Sequence, residues 1–314
     1  MTDRKSQQKF ECACIIGVGL IGSSMALAMR HRSLARKIIG VDRDENVLAR
    51  AEKLGVIDQS ETSLEKGAAG ADLIILSTPV GAMADVCEML SDAAPDGALI
   101  IDVGSVKGVV AKAGAALPER LHFVPSHPVA GTEQSGPEAG FATLFENRWC
   151  ILTPLARKDE AYKSAINKAE ELWTGVGALV EVMDAEHHDL ALAVTSHLPH
   201  LIAFTLVGAA DDVESVAHGE VIKYSAGGFR DFTRIAASDP IMWRDVFLSN
   251  KEAVLEVLGR FSEELAVMQR AIRWGDGKAL EDAFARGRAL RRAIVDAGQE
   301  TEKPNFGRDK KPEN

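Results

Sequence analysis

Residues 17–22 read Gly17-Val18-Gly19-Leu20-Ile21-Gly22 and stand between two stretches of different pattern. The preceding residues 12–16 are apolar, which predicts a buried strand. The following residues 23–32 are rich in alanine, leucine and methionine, which predicts a helix. A glycine-rich turn that joins a strand to a helix in this way is typical of dinucleotide-binding α/β folds. This stretch therefore predicts a Rossmann-type domain.

Each residue of the turn has a predicted role. Gly17 allows the tight bend, Gly19 lets a pyrophosphate approach the backbone, and Gly22 lets the helix lie close to the strand. The first helical amides, those of Leu20 and Ile21, add hydrogen-bond donors and the positive end of the helix dipole. We therefore predict that these five residues contact a dinucleotide cofactor.

A second predicted strand, residues 37–41, ends at Asp42, which lies 20 residues after Gly22. A carboxylate at this distance is expected to bind the ribose hydroxyls of the cofactor and to repel a 2′-phosphate. Its neighbour Arg43 would instead neutralise such a phosphate or stack on the adenine. We predict NAD as the cofactor, with NADP as the less favoured alternative.

Apolar and helical patterns continue to alternate over residues 47–103. Continuous apolar strands between helices are typical of a mostly parallel sheet that is covered on both faces. One of these strands ends at Ser77, Thr78 and Pro79. The carboxyl edge of such a sheet is where the ribose and nicotinamide of the cofactor would lie, so these three residues are further predicted cofactor contacts.

Two other strand ends carry polar residues. Ser105 follows the predicted strand at 99–103, where it either caps the next helix or takes part in the chemistry. His127 and Glu133 follow another apolar run, and Pro128 excludes a helix interior there. The pattern predicts that His127 and Glu133 lie on a loop at the end of a buried strand, with an ordinary loop histidine as the alternative.

From residue 185 onward the pattern is helical, without a convincing strand. Pro199 interrupts the first helix and frees a backbone carbonyl one turn before it. His197 and His200 are three residues apart and share a face. Neither this pair nor the run His187-His188-Asp189 has the spacing of a metal site, so no metal is predicted.

Residues 227–245 combine aromatic side chains, two glycines and three arginines. Arg234 stands among apolar neighbours, which predicts a side chain that points inward and needs an anionic partner. The sequence leaves two partners open, a bound substrate or an internal acid such as Asp231 or Asp239.

Composition limits the class of protein. The chain has 314 residues, of which 46% are hydrophobic and 26% charged, as in a soluble globular protein of two domains. A net charge of −10 without a basic stripe argues against nucleic-acid binding. Four cysteines without metal-type spacing, no secretory signal and no long uninterrupted apolar run predict a cytoplasmic protein that binds no membrane.

We predict an α/β cofactor-binding domain over residues 1–184, an all-helical domain over residues 185–296 and a disordered tail over residues 297–314. Within the helical domain, apolar residues recur at helical spacing over 254–272 and 280–294. These apolar stripes predict core packing or the seam of a homodimer.

Five segments, taken together and in this order, resemble the prephenate/arogenate (cyclohexadienyl) dehydrogenase family of tyrosine biosynthesis. They are GVGLIGSS, DVGSVK, HPVAGTE, SHLPH and GGFRDFTRIAASDPIMWRD. The resemblance covers about residues 12–294. It implies a Rossmann-type domain followed by a helical dimerisation domain, and NAD-dependent oxidative decarboxylation of prephenate, with arogenate as a further substrate.

The resemblance also implies roles for single residues. His127 corresponds to the catalytic histidine that takes the proton of the ring hydroxyl, and Ser105 to a serine that holds this hydroxyl and the histidine. Arg234 corresponds to the arginine that binds the ring carboxylate. Five further residues correspond to positions around the substrate pocket: Glu133, Ser196, His200, Gly227 and Trp243.

Two other functions remain open from the sequence. A β-hydroxyacid or imine dehydrogenase has the same two-domain plan but is expected to use a lysine of the helical domain as its acid, which the segment around Arg234 does not resemble. An NAD-dependent sensor that has lost catalysis is the second alternative. The presence of His127, Ser105 and Arg234 together argues against it.

Overall fold

The computed structural model describes residues 9–217 and 226–296. The predicted disordered tail, residues 297–314, lies outside the described residues. By internal contacts the chain divides into one compact unit of Met1–Leu255 and another of Glu256–Asn314. The boundary expected near residue 184 stays a prediction.

The first half of the chain forms a six-stranded, all-parallel sheet with the strand order β3-β2-β1-β4-β5-β6. The strands are β1 (Phe10–Ile16), β2 (Ala35–Val41), β3 (Gln59–Glu61), β4 (Leu73–Leu76), β5 (Leu99–Asp102) and β6 (His122–Val124). This order is that of the Rossmann fold, in which the chain winds outward on both sides of β1. It brings the carboxyl ends of β1 and β4 side by side.

Helices cover both faces of this sheet. They are α1 (Leu20–His31), α2 (Glu45–Lys53), α3 (Leu64–Ala68), α4 (Met83–Ala93) and α5 (Lys107–Ala115). The central strand β1 supplies Ala13 and Ile15 to one buried cluster and Cys14 and Ile16 to the other. The sheet is therefore buried on both sides, as the continuous apolar strands predict.

A second, three-stranded sheet follows, composed of β7 (Ser126–Pro128), β8 (Trp149–Leu152) and β9 (Leu179–Val182). Strand β7 pairs antiparallel with β8, and His127 lies opposite Ile151. The expectation that His127 lies on a loop is therefore wrong. Pro128 is compatible with this strand because β7 is at the edge of its sheet, where a missing amide proton is tolerated. Helix α6 (Glu160–Gly175) connects β8 to β9.

The remaining described elements are helical. They are α7 (Ala185–Leu192), α8 (Leu198–Ala217), α9 (Gly227–Thr233), α10 (Pro240–Ser249), α11 (Lys251–Trp274) and α12 (Gly277–Asp296). A π-helical turn, Ala193–His197, joins α7 to α8 just before Pro199. The wider turn accommodates the missing amide of the proline without ending the helix.

The stretch Ala185–Asp212 is long and apolar enough to cross a membrane by length and composition, with a mean hydropathy of 1.7. It nevertheless buries His188, Asp189 and His197, which form hydrogen bonds with other elements of the fold. A core helix of a globular protein passes the same test, so the stretch is weak support for a membrane span.

Candidate active site

The glycine turn between β1 and α1 has the shape of a pyrophosphate cradle. Gly17 has a φ of +95°, and a Cβ at this position would lie 2.5 Å from the carbonyl oxygen of Ser77. A Cβ at Gly22 would lie 2.1 Å from the carbonyl oxygen of Gly17, whereas a Cβ at Gly19 would meet nothing within 4 Å. Gly19 is also the N-cap of α1 and provides no side-chain cap, so the helix N-terminus suits an anion.

The other predicted cofactor residues surround this turn. Asp42 directly follows β2, and its Oδ2 accepts a hydrogen bond from the amide of Val18 at 3.0 Å. Arg43 is exposed beside it. The end of β4 brings half-buried Ser77 and Thr78 and exposed Pro79 next to Gly17. These residues meet at one edge of the sheet, although their contacts with a cofactor stay predictions.

His127 belongs to a buried series of hydrogen bonds. The residue is 7% exposed, and its Nδ1 lies 2.8 Å from Nε2 of His188 on α7. The other ring nitrogen of His188, Nδ1, lies 2.8 Å from Oδ1 of Asp189. The two imidazole planes are inclined by 68°. A strand residue and two consecutive residues of α7 thus form one connected group.

Asp189 connects this group to the N-terminus of α5. Its Oδ1 accepts the amide proton of Lys107 at 2.7 Å, and its Oδ2 accepts that of Gly108 at 2.8 Å. A Cβ at position 108 would lie 2.9 Å from Oδ2, so glycine permits the close approach of the carboxylate. Ser105 therefore does not cap this helix, which was one of the two roles that the sequence left open for it. The N-cap is Val106 without a side-chain bond, and the acceptor is Asp189.

Ser105 itself lies half-buried on the loop between β5 and α5. Beside that loop, the fully buried ammonium group of Lys107 pairs with Asp102 and donates a hydrogen bond to the carbonyl oxygen of Ser126 at 2.8 Å. Asp102 in turn accepts the amide proton of Ser126 at 2.9 Å. The backbone just before His127 is therefore fixed to β5 by charge-assisted bonds.

Burial determines the protonation of the histidine. Desolvation, reinforced by the neighbouring His188, Lys107 and His197, holds the pKa of His127 well below its usual value of 6.5. Burial likewise lowers the pKa of His188, although the hydrogen bond to Asp189 opposes the change. Both imidazoles are therefore neutral at neutral pH, and a neutral imidazole can accept a proton.

The predicted substrate residues of the helical half lie around Trp243. The imidazole of His200 stacks on the Trp243 ring with a centroid distance of 3.7 Å, and Nδ1 of His200 donates to the carbonyl oxygen of Ser196 at 2.8 Å. That carbonyl belongs to the turn before Pro199. Among the described residues, the buried Nε1 of Trp243 has no hydrogen-bond partner, so a donor remains for a ligand.

Asn250 joins these residues to the histidine series. Its amide group lies 3.1 Å from Nδ1 of His197 and donates to the carbonyl oxygen of Asp189 at 2.8 Å. His197 contacts Trp243 edge to face at a centroid distance of 6.1 Å. A continuous set of contacts therefore leads from His127 through Asp189 to Trp243.

Arg234 pairs with Glu133, which is 101 residues earlier in the chain, through Nη1 and Oε2 at 3.3 Å. The Arg234 side chain is 38% exposed, and its charge contributes to lowering the pKa of His200, after the larger effect of burial. The sequence left two kinds of partner open for Arg234, a bound substrate or an internal acid such as Asp231 or Asp239. The structure shows an internal acid, and this acid is Glu133. Gly227 begins α9, the helix that ends just before Arg234.

The sequence reading missed His188, Asp189, Lys107 and Asn250. His188 and Asp189 were considered only as metal ligands, and the described ranges contain no group of three or more side chains suited to a metal ion. One signal was available. His188 and Asp189 begin a long helical stretch whose later residues are mostly apolar, and polar side chains that are buried in such a helix need hydrogen-bond partners.

Comparison with known proteins assigns the family. The nucleotide-binding domain of prephenate dehydrogenase matches residues 25–182, and the prephenate dehydrogenase dimerization domain matches residues 184–286. The chain is 40% identical to the cyclohexadienyl dehydrogenase of Zymomonas mobilis, with 91% of this chain and 96% of the relative covered. It is 38% identical to the prephenate dehydrogenase of Bacillus subtilis, with 85% and 71% covered.

A solved structure has the same fold. The prephenate dehydrogenase of A. aeolicus, in complex with hydroxyphenyl propionate and NAD+, superposes with a TM-score of 0.83 at 36% sequence identity. The match covers 93% of this chain and all of that one. The parallel sheet, the helical second half and both domain matches agree, and the chain belongs to the prephenate dehydrogenase family.

Proposed function

We propose that this protein is an NAD-dependent prephenate dehydrogenase, which converts prephenate to 4-hydroxyphenylpyruvate and carbon dioxide. The observation that carries the proposal is a buried, neutral imidazole, His127, in one connected group with a stacked His200–Trp243 pair and a nearby arginine. A base and a cationic anchor are what oxidation of a hydroxylated, anionic ring requires.

The glycine turn fits NAD. Open space at Gly19 and the uncapped N-terminus of α1 suit the pyrophosphate, and Asp42 lies close enough to the turn to bind the adenosine ribose. A carboxylate there would repel the 2′-phosphate of NADP, which is why we propose NAD as the preferred cofactor. NAD, when bound, accepts the hydride from the ring carbon.

His127 takes the proton of the ring hydroxyl as the hydride leaves the same carbon. Prephenate carries two negative charges and the product one, so the reaction releases no net proton, and the proton held by His127 returns to the phenol oxygen. Burial helps, because a group with a lowered pKa gives up its proton readily. Ser105, on the loop after β5, is proposed to hold the hydroxyl.

Arg234 binds a substrate carboxylate. A guanidinium group offers two parallel donors to a carboxylate, which lysine does not. Arg234 pairs with Glu133 at 3.3 Å, partly in solvent. The substrate carboxylate therefore replaces an existing, weak ion pair. His200, Ser196, Gly227 and Trp243 are proposed to line the rest of the pocket.

Arogenate is the second candidate substrate. It differs from prephenate by an ammonium group on the side chain, and Glu133 is an acid within the substrate region that would bind this group once Arg234 engages a carboxylate. The name of the Zymomonas mobilis relative, cyclohexadienyl dehydrogenase, supports the broader use. Steady-state rates with both substrates compare the two directly.

The test of the proposed function is NADH formation by the purified protein with NAD and either substrate. We expect turnover with prephenate, and a loss of roughly 10²–10⁴-fold in kcat for His127→Asn with cofactor affinity unchanged, the range that a general base contributes. Absence of NADH formation with both substrates would refute the proposal, and near-normal turnover of the variant would refute the role of His127.

We also propose a cytoplasmic homodimer. The match to a dimerization domain supports it, and so do large apolar side chains left exposed on α11 and α12, such as Ile272 at 67%, Trp274 at 79% and Phe284 at 65%. Sedimentation equilibrium of the purified protein measures the assembly. A monomer at micromolar concentration would contradict it.

A further inference from the structure

We infer that His188 and Asp189 are positioning residues that hold His127 in one tautomer, with the proton on Nδ1 and the lone pair on Nε2. The inference deepens the proposed function, on which it rests, because it names the atom that accepts the hydroxyl proton. In this series the carboxylate of Asp189 is the group whose protonation is fixed by its surroundings.

Both oxygens of Asp189 face donors. The amides of Lys107 and Gly108 can only donate, and they occupy Oδ1 and Oδ2 respectively. A proton on either oxygen would point at an N–H group, so the carboxylate is ionised. The hydrogen bonds from His188 and from the two amides outweigh the desolvation of this side chain, and the pKa of Asp189 is lowered.

The polarity of the next two bonds follows. Because Asp189 accepts, Nδ1 of His188 carries a proton, and Nε2 of a neutral His188 carries a lone pair. This lone pair lies 2.8 Å from Nδ1 of His127, which must therefore donate. Neutral His127 then has its own lone pair on Nε2, the ring nitrogen that this series of hydrogen bonds leaves free for a substrate.

The opposite arrangement is disfavoured. If His127 carried its proton on Nε2, two lone pairs would meet at 2.8 Å unless His188 were an imidazolium. An imidazolium at this position would be fully buried and would lie near the ammonium group of Lys107, which together lower the pKa of His188. Asp102 and Asp189 are the acids that oppose this effect, and Asp102 is already paired with Lys107.

The arrangement has a structural consequence. Since Asp189 binds the first amides of α5, the base and the loop that carries Ser105 are positioned by the same carboxylate. An acid that is hydrogen-bonded directly to a catalytic histidine acts through the tautomer, and its loss lowers turnover by up to about 10⁴-fold. Here a second histidine transmits the effect.

The tautomer is measured directly by NMR on the full-length protein with ¹⁵N-labelled histidine rings. The chain has eight histidines, and the signals of His127 are those missing from His127→Asn. We expect a protonated Nδ1 and an unprotonated Nε2 at neutral pH. A protonated Nε2 on neutral His127 would overturn the inference. This readout needs no turnover, so it remains valid if neither substrate is oxidised and the proposed function fails.

Kinetics of matched variants provide the second test. The amide oxygen of His188→Gln reaches the place of the imidazole Nε2 and can accept from His127, whereas the shorter amide of His188→Asn reaches only toward Asp189. We expect the glutamine variant to keep kcat within about tenfold and the asparagine variant to lose about 10²-fold, with less than threefold changes in either KM. His187→Asn, an exposed neighbour, is the control. Equal kcat values for the two His188 variants would overturn the inference.

Discussion

Asp189→Asn removes one negative charge and one acceptor oxygen from a carboxylate that receives three hydrogen bonds. The remaining oxygen can still accept from His188 and Lys107, but the new amide nitrogen faces the N–H group of Gly108, which lies 2.8 Å from Oδ2 in the native protein. One charge-assisted hydrogen bond is lost, worth about 1.5–3 kcal/mol, and one buried donor is left unsatisfied, at about 1–3 kcal/mol. We expect the free energy of unfolding to fall by about 3 kcal/mol, since the two effects partly overlap.

Thermal unfolding followed by near-ultraviolet circular dichroism measures the effect. For a compact unit of about 250 residues, 1 kcal/mol shifts Tm by roughly 2–4 °C, so we expect a decrease of roughly 6–12 °C. Asp184→Asn is the matched control. Asp184 is the exposed N-cap of α7 and accepts one amide proton, from His187 at 2.8 Å, a role that asparagine fills equally well. A Tm for Asp189→Asn equal to that of the control would refute the reasoning.

Three further predictions concern activity. Burial and neighbouring charges lower the pKa of His127, so this base stays neutral as the pH falls through 6.5. We therefore expect no decrease of kcat/KM in this pH range. A decrease with its midpoint at or above pH 6.5 would contradict the assignment. Arg234→Gln should raise the KM for prephenate about 30-fold, equivalent to about 2 kcal/mol, with a smaller change in kcat. An unchanged KM would mean that the arginine has only a structural role. Asp42→Asn keeps an acceptor for the Val18 amide but loses the negative charge. We therefore expect the preference for NAD over NADP, measured as the ratio of the two kcat/KM values, to fall about tenfold or more. An unchanged ratio would show that Asp42 does not select the cofactor.

The Rossmann half could be predicted from the sequence because its signals are local. Strand β1, the glycine turn and α1 are contiguous, and each glycine has the environment that the motif demands. The elements that were missed are short or polar. Strand β3 consists of Gln59-Ser60-Glu61, which has no apolar pattern, and it forms because β2 offers a free edge for pairing.

The site was less predictable because its contacts are remote in sequence. His127 was expected on a loop since Pro128 follows it, but β8 provides a strand partner that local propensity does not register. The bond from His127 to His188 spans 61 residues, and the bond from Lys107 to Asp189 spans 82. No spacing rule connects such pairs, so the roles of His188 and Asp189 emerge only from the fold.

The cap that Asp189 places on α5 has a consequence for the order in which the chain is made. A ribosome that adds roughly 5–20 residues per second needs about 4–16 s to progress from Lys107 to Asp189. During that time the parallel sheet can form, but the first amides of α5 and the ring of His127 still wait for their partners. A nascent chain that has reached only residue 184 therefore carries every glycine of the turn and the ring of His127, but it lacks the hydrogen-bond partners of that ring. Synthesis of α7 supplies His188 and Asp189, so the hydrogen bonds around His127 and the cap of α5 form after the parallel sheet has been made.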